Sequence, residues 1–184
     1  MAATRTTAKK TTAKKAAVKR TKRSNKKDEV HTAAARLFFE KGYEATSIQD
    51  VADSVGILKG SLYYYIDSKE DLLYAVIEDA HAALLAILEE VSSERQDPQE
   101  KLRALVTRHC VYVADNVWAT GAFLSSFGAL TGDRRKRIIR ERDEYELGWR
   151  RIIEEGQRTG AFRADMDSRV STLGILGMAN GVHQ

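Results

Sequence analysis

The chain has 184 residues with thirty basic and twenty-six acidic side chains, a net charge of +4, one cysteine and one proline. The single cysteine excludes a disulfide framework and an all-cysteine metal site, which is typical of a protein in the reducing cytoplasm. No apolar run reaches the roughly 18 residues of a membrane span, and the basic N-terminus lacks the apolar part of a secretory signal. We therefore expect a cytoplasmic protein with no membrane partner. The scarcity of proline and of β-branched clusters favours an all-α fold.

The first 27 residues differ in charge from the rest of the chain. They hold eleven of the thirty basic side chains and no acidic one, which leaves the other 157 residues with a net charge of −7. Residues 6–10 and 11–15 both read Thr-Thr-Ala-Lys-Lys, and large apolar side chains are almost absent. Such a segment cannot offset the entropy of ordering, so we predict that residues 1–27 are a disordered basic tail. This charge density is typical of an arm that binds nucleic acid irrespective of sequence, and a solubilising extension is the alternative.

Three short helices are predicted next, over residues 28–74. Apolar residues spaced three and four apart begin at Val30 and predict a helix that ends at Gly42. Thr46 and Gln49 form a capping-box pattern for a second helix. A glycine turn then leads to a third helix over residues 59–66. Three helices with a turn between the last two suggest a helix-turn-helix domain, and a generic three-helix bundle is the alternative.

The remaining sequence, residues 75–184, reads as a larger helical domain. Caps and stop signals divide it and the residues just before it into five helices. These helices are predicted to begin at or near Ser68, Pro98, Trp118, Arg134 and Asp167. Gly160 stops the long helix that begins at Arg134, and the last helix is expected to be still running at Gln184.

Three segments resemble the DNA-binding domain of the TetR family of transcriptional regulators. They are Thr-Ser-Ile-Gln-Asp-Val-Ala at 46–52, Gly-Ile-Leu-Lys-Gly-Ser-Leu-Tyr-Tyr-Tyr-Ile at 56–66 and Ser-Lys-Glu-Asp-Leu-Leu at 68–73. The resemblance implies a homodimer that places one helix-turn-helix per subunit in the major groove of a palindromic operator. It also implies a C-terminal domain with the dimer interface and a small-molecule pocket, whose occupation usually releases DNA. Family members usually carry one more helix, so we expect this sequence to be truncated.

The resemblance also implies which residues contact DNA: Thr46, Ser47, Leu58, Lys59, Gly60, Ser61, Tyr63, Tyr64 and Lys69. Lys59 can reach guanine O6 and N7, and hydroxyl groups suit phosphates. Leu58 stands where many members have a serine or threonine N-cap, so another group or a DNA phosphate would satisfy the helix start. Leu58 could also contact a thymine methyl group. Residues 28–66 carry a net charge of −3, so the basic arm would supply attraction to DNA and could lie in the adjacent minor groove.

We expect no catalysis, cofactor or metal. The four histidines are far apart in the sequence, and no phosphate loop, nucleophile motif or metal-spaced cluster is present. Candidate ligand-binding residues in the larger domain are Cys110, Trp118, Phe123, Phe127, Arg142, Tyr145 and Trp149. Arg142 lies on an apolar helical stripe, so it either pairs with a neighbouring helix or meets an anionic effector. The basic run 134–137 and Arg140 either meet the phosphates of coenzyme A or form a solvated helix start.

Small residues on one face of the last helix, Gly174, Gly177 and Gly181, are candidates for the dimer interface. The sequence at 56–63 further resembles actinobacterial regulators of lipid and sterol degradation, whose effectors are acyl-CoA thioesters. The predicted function is a repressor that such an effector releases from double-stranded DNA. A ligand-dependent activator and a nucleoid-type protein that binds DNA without specificity are the alternatives.

Overall fold

A computed structural model of the chain describes residues 26–183, with the side chains of residues 26–182. Residues 1–25 of the predicted disordered tail, together with Gln184, lie outside the described residues. The helices are α1 (26–41), α2 (Ile48–Ser54), α3 (Lys59–Leu62), α4 (Lys69–Ser93), α5 (Pro98–Asp115), α6 (Val117–Ser126), α7 (Gly132–Thr159) and α8 (Ser168–Asn180). Short 3₁₀ turns follow α6 at Phe127–Ala129 and α8 at Gly181–His183. Residues 26–183 contain no strand, so the predicted all-α fold is confirmed.

Helix ends coincide with capping residues that the sequence places there. The Ser68 hydroxyl accepts a hydrogen bond from the backbone N–H of Asp71 at 3.0 Å, and the Asp167 carboxylate accepts one from Val170 at 2.9 Å. Each satisfies a backbone donor that would otherwise lack a partner at the start of α4 or α8. Gly160 ends α7 in the left-handed conformation, at φ +79°, which L side chains rarely adopt.

Three predicted helix limits are wrong. The N-cap of α2 is Ser47, one residue after the predicted Thr46, and its partner is Asp50 rather than Gln49. Helix α3 ends at Leu62, after which hydrogen bonds from Tyr64 to Ser61 and from Tyr65 to Leu62 continue the chain as tight turns. Helix α8 ends at Asn180 instead of running to Gln184.

Helix α1 begins no later than Lys26, so the last two residues assigned to the tail are helical. The Lys26 ammonium group lies 2.6 Å from a carboxylate oxygen of Glu29 and 2.9 Å from the carbonyl oxygen of Val55. This side chain therefore connects α1 to the end of α2.

The buried apolar residues form two clusters. The first joins α1 to α4 and extends to Ala122 of α6, Leu130 and Ile138 of α7. The second fills the space between α4, α5 and α7 around Leu105 and Trp149. The helix-turn-helix therefore shares its core with the larger domain. Gly121 makes part of this packing possible, because a Cβ atom there would overlap the Phe39 ring of α1.

Candidate DNA-binding surface and effector cavity

The segment around α3 exposes most of the residues predicted to contact DNA. Leu58 is 80% exposed, Tyr64 76% and Tyr63 49%. Lys59 and Gly60 are also exposed, and Ser61 is partly exposed. Leu58 occupies the N-cap position of α3 with extended backbone and provides no capping hydrogen bond. A single buried residue of α3, Leu62, attaches this exposed segment to the core.

Thr46 and Lys69 were predicted to contact phosphates, but the structure gives them internal partners. Thr46 is only 1% exposed, and its hydroxyl lies 2.8 Å from the carbonyl oxygen of Gly42 and 3.1 Å from that of Leu37. The prediction for the Thr46 side chain is therefore wrong. The Lys69 ammonium group donates to the carbonyl oxygens of Tyr43 at 2.9 Å and Thr46 at 3.1 Å, and lies 4.2 Å from the centre of the Tyr43 ring. Both side chains hold the loop between α1 and α2 in place.

Ser47 is exposed at the start of α2, where it forms a reciprocal capping box with Asp50. The Asp50 backbone N–H donates to Ser47 Oγ at 3.1 Å, and the Ser47 backbone N–H donates to Asp50 Oδ2 at 2.8 Å. Hydrogen bonds from Ser47, with a further one from the Lys41 ammonium group at 3.1 Å, hold the pKa of Asp50 well below its usual range. The Asp50 carboxylate therefore caps α2 and pairs with Lys41.

A cavity of about 420 Å³ lies in the larger domain, between residues of α4, α5, α6, α7 and α8. Four of the predicted ligand-binding residues line it: Phe123, Phe127, Arg142 and Tyr145. Gly177, predicted at the dimer interface, lines it too. The lining is mostly apolar, with Arg142 and Glu146 as its charged members.

The other three predicted ligand-binding residues do not line this cavity. Trp149 is fully buried, with its ring centre 6.0 Å from that of Tyr145 and 5.6 Å from that of His109. Trp118 lies at the junction of α6 with α1, where the Arg36 guanidinium is 5.5 Å from the centre of its ring. Cys110 is partly buried on α5. The lining of this cavity does not include these three predicted residues. Periodicity along a single helix does not determine which side chains face a cavity between helices.

Two histidines that the sequence reasoning did not assign to the site, His81 and His109, also line the cavity. His109 Nδ1 lies 2.8 Å from the Tyr145 hydroxyl, and Nε2 lies 3.1 Å from Asn180 Oδ1. Because an amide oxygen accepts only, Nε2 donates to Asn180 and Nδ1 accepts from Tyr145. Burial lowers the pKa of both histidines. Their positions on apolar helical faces were the available signal, since His81 lies four residues after Ile77 on the buried stripe of α4.

Arg142 lies at the edge of the cavity with its side chain half exposed. Its Nη2 is 3.2 Å from Asp143 Oδ1, a neighbour on the same helix. This exposed pair is weak, so the guanidinium remains accessible to an anion. The basic run 134–137 is used differently: Arg134 pairs with Asp71 of α4, and Arg137 lies 2.7 Å from Glu78 of α4 and donates to Glu141 at 2.9 Å. These pairs connect α7 to α4.

Two other kinds of site are absent from the described part of the chain. Its side chains include no group of three or more histidine, cysteine or carboxylate residues placed to hold a metal ion. No helix among residues 26–183 is both long and apolar enough to span a membrane.

Comparison with known proteins identifies the class of this chain. Residues 31–76 match the family model described as bacterial regulatory proteins, tetR family, and residues 95–184 match one described as tetracyclin repressor-like, C-terminal domain. The chain is thus a DNA-binding regulator of transcription with a helix-turn-helix. It belongs to the TetR family, which confirms the resemblance found in the sequence.

Individual proteins are similar to this chain in sequence or structure over most of its length. The HTH-type transcriptional repressor KstR2 of Rhodococcus jostii strain RHA1 is 31% identical over 146 residues, 79% of this chain and 72% of the relative. The crystal structure of the TetR family regulator PfmR from Thermus thermophilus is similar with a TM-score of 0.79 and 35% identity, over 85% and 83% of the two chains. AibR in complex with isovaleryl coenzyme A and operator DNA gives a TM-score of 0.78 at 26% identity, over 86% and 85%.

Proposed function

We propose that this chain is a sequence-specific repressor that binds a palindromic operator as a homodimer and is released by an acyl-CoA thioester. Residues 28–74 read the operator, and residues 75–184 hold the effector and the dimer interface. The observation that carries the proposal is the mostly apolar cavity with Arg142 at its edge. An acyl chain attached to an anionic carrier matches this combination of an apolar interior and an accessible cation.

The size of the cavity limits how such an effector would bind. A volume of about 420 Å³ falls within the range of about 300–1,000 Å³ of small-molecule sites. The acyl group would occupy this space, and the larger, charged nucleotide part of coenzyme A would remain outside, near Arg142. The solved complex of AibR with isovaleryl coenzyme A and operator DNA supports this effector class for a protein of the same fold.

Helix α6 offers a route from the cavity to DNA. Phe123 and Phe127 line the cavity, while Ala122 is fully buried in the cluster that includes α1 to α4. Gly121 lies directly against Phe39 of α1. Because tightly packed cores transmit shifts rather than absorb them, an effector that displaces α6 would also move the helix-turn-helix. The distance between the two recognition helices of a dimer would then no longer match the operator.

The outer face of α8 supports the proposed homodimer. Val170 and Met178 are exposed outside the cavity lining, and a Cβ added at Gly174 or Gly181 would meet no atom within 4 Å, whereas Leu173 and Gly177 line the cavity. An exposed apolar patch with open space at its glycines suits close approach of a second helix. Met178→Glu should give a monomer in sedimentation analysis and lose cooperative operator binding, while Met166→Glu, the same substitution at an exposed methionine that precedes α8, serves as the matched control. A dimeric Met178→Glu variant would contradict the interface.

The effector proposal is tested by footprinting the full chain on genomic fragments and then titrating the bound fragment with a panel of acyl-CoA thioesters. We expect protection of a discrete palindrome and its loss with a thioester, whereas the free acid and coenzyme A alone act weakly. Arg142→Gln should raise the thioester concentration needed for release without changing operator affinity. Arg158→Gln, an exposed arginine in the last turn of the same helix and outside the cavity lining, is the matched control. Uniform protection of all DNA, or equal weak action of thioester and free acid, would refute the proposal.

A further inference from the structure

His81 occupies an unusual position for a polar side chain. It lies on the buried face of α4, is 5% exposed and lines the cavity between α4 and α8. Its ring packs against that of Phe123 in a T-shaped arrangement, with ring centres 4.8 Å apart and an interplanar angle of 88°. An apolar residue could fill this position without the free-energy cost of burying a polar imidazole that lacks a hydrogen bond.

The protein itself does not use the polarity of His81. Among the described residues, Nδ1 of His81 is fully enclosed and has no hydrogen-bond partner. His109, buried in the same cavity wall, has both ring nitrogens bonded, to Tyr145 and to Asn180. Native proteins rarely leave a buried side-chain nitrogen unpaired unless the group serves a ligand or a reaction. Nε2 of His81 is not among the fully enclosed atoms, and no hydrogen bond within residues 26–182 uses it, so Nε2 is the ring nitrogen left for a ligand.

The protonation of His81 decides what kind of ligand atom it can bind. Burial lowers its pKa, and the nearby Glu141 and Arg142 of α7 act on it in opposite directions, so the ring is neutral at neutral pH. An enclosed N–H without a partner is less tolerable than an enclosed lone pair, which assigns the single proton to Nε2. The ring then offers one N–H donor, which complements an uncharged acceptor such as a carbonyl oxygen.

We propose that His81 donates a hydrogen bond from Nε2 to the thioester carbonyl oxygen of an acyl-CoA bound in this cavity. The inference rests on the proposed function and specifies how the same site recognises its ligand. The thioester carbonyl is the polar atom at the junction between the apolar acyl chain and the charged carrier. His81 packs against Phe123 and lines the same cavity as the cation Arg142. The positions of the polar groups in ligand and cavity therefore correspond.

The test compares octanoyl-CoA with S-octyl-CoA, a thioether that has the same chain length and carrier but a methylene group in place of the carbonyl. Binding to the full chain is measured by calorimetry for wild type, His81→Phe and His81→Gln. Phenylalanine keeps the ring without the donor, and the glutamine amide can place an N–H close to the position of Nε2. Unchanged operator affinity and helical circular dichroism show that each variant is folded.

We expect wild type to prefer the thioester by roughly three- to ten-fold, the ratio that one neutral hydrogen bond supports. His81→Phe should bind both compounds equally, and His81→Gln should recover part of the preference. If His81→Phe keeps the wild-type ratio, or if wild type shows no preference, the role of His81 is overturned while the proposed effector class stands. If wild type binds neither compound and no thioester of the panel releases the operator, both proposals fail.

Discussion

Leu58 should read a thymine methyl group in the operator, and its contribution can be isolated chemically. The side chain is 80% exposed and occupies the N-cap of α3 without capping it, so its truncation removes little intramolecular packing. In DNA, thymine differs from uracil by the C5 methyl group that protrudes into the major groove. Leu58→Ala removes the protein side of this contact, and deoxyuridine in place of thymidine removes the DNA side.

The expected magnitude follows from the area that such a contact takes out of water. Burial of one methyl or methylene group contributes about 0.8 kcal/mol, which corresponds to a factor of about four in affinity for each half-site. A dimer on a palindrome makes the contact twice, so replacing both thymines should weaken binding about fifteen-fold. Leu58→Ala should show this loss on the natural operator and no further loss on the uracil operator.

The assay is fluorescence anisotropy at constant salt, with the duplex recovered by footprinting and deoxyuridine placed at each thymine in turn. Leu58→Ser is a second variant, because serine can cap α3. It should raise the free energy of unfolding by about 0.5–2 kcal/mol and abolish the preference for thymine over uracil. An alanine variant that remains as sensitive to every uracil replacement as wild type would refute this reasoning. The N-cap leucine would then be an unused exposed side chain.

Three further predictions concern the arm and the interior. Deleting residues 1–25 removes nine basic side chains and should flatten the slope of log affinity against log salt, measured by anisotropy, while leaving the preferred operator unchanged. Lys69→Met leaves the carbonyl groups of the loop between α1 and α2 without their donor and should lower the free energy of unfolding in urea by about 1.5–3 kcal/mol. Burial lowers the pKa of His109 below its ordinary 6.5, so the unfolded chain binds a proton at this histidine more readily than the folded chain does. The stabilisation that neutral His109 gives to the folded chain is therefore present above about pH 6.5 and is lost as the pH falls. The stability difference between wild type and His109→Gln should therefore narrow between pH 7.5 and 5.5, and a constant difference would refute the lowered pKa.

The parts of the fold that were predictable depend on local chemistry. Ser68 and Gly160 act on backbone groups within a few residues, so their positions in the sequence were enough to place the ends of α4 and α7. The N-cap of α2 was not decidable in this way, because Thr46 and Ser47 both have a suitable partner three residues later. The choice is made by a contact distant in sequence, the Thr46 hydroxyl against the carbonyl oxygen of Leu37.

The residues that line the cavity were also hard to predict, because their positions depend on contacts between residues distant in sequence. Phe123 and Phe127 were predicted as ligand-binding residues along with Trp118 and Trp149, since all four are aromatic residues on apolar helical stretches. Which of them face the cavity depends on how α6 and α7 pack against their neighbours, and periodicity along one helix does not contain that information. His81 was missed for a related reason: a histidine was considered only as a metal ligand or a catalyst, and its lack of a hydrogen-bond partner becomes visible only when the surrounding helices are assembled.

The separation of charge between the arm and the body has a consequence for release by an effector. An effector that changes the spacing of the recognition helices reduces specific binding, but the electrostatic contribution of the arm is common to operator and non-operator DNA. At low salt, protein with bound effector should therefore leave the operator and remain on flanking DNA. At higher salt the arm contributes less, and the same effector should free the protein completely. Titration of octanoyl-CoA against a long and a short labelled duplex at two salt concentrations distinguishes these states. Complete dissociation from the long duplex at low salt would show that the arm does not hold DNA independently of the helix-turn-helix.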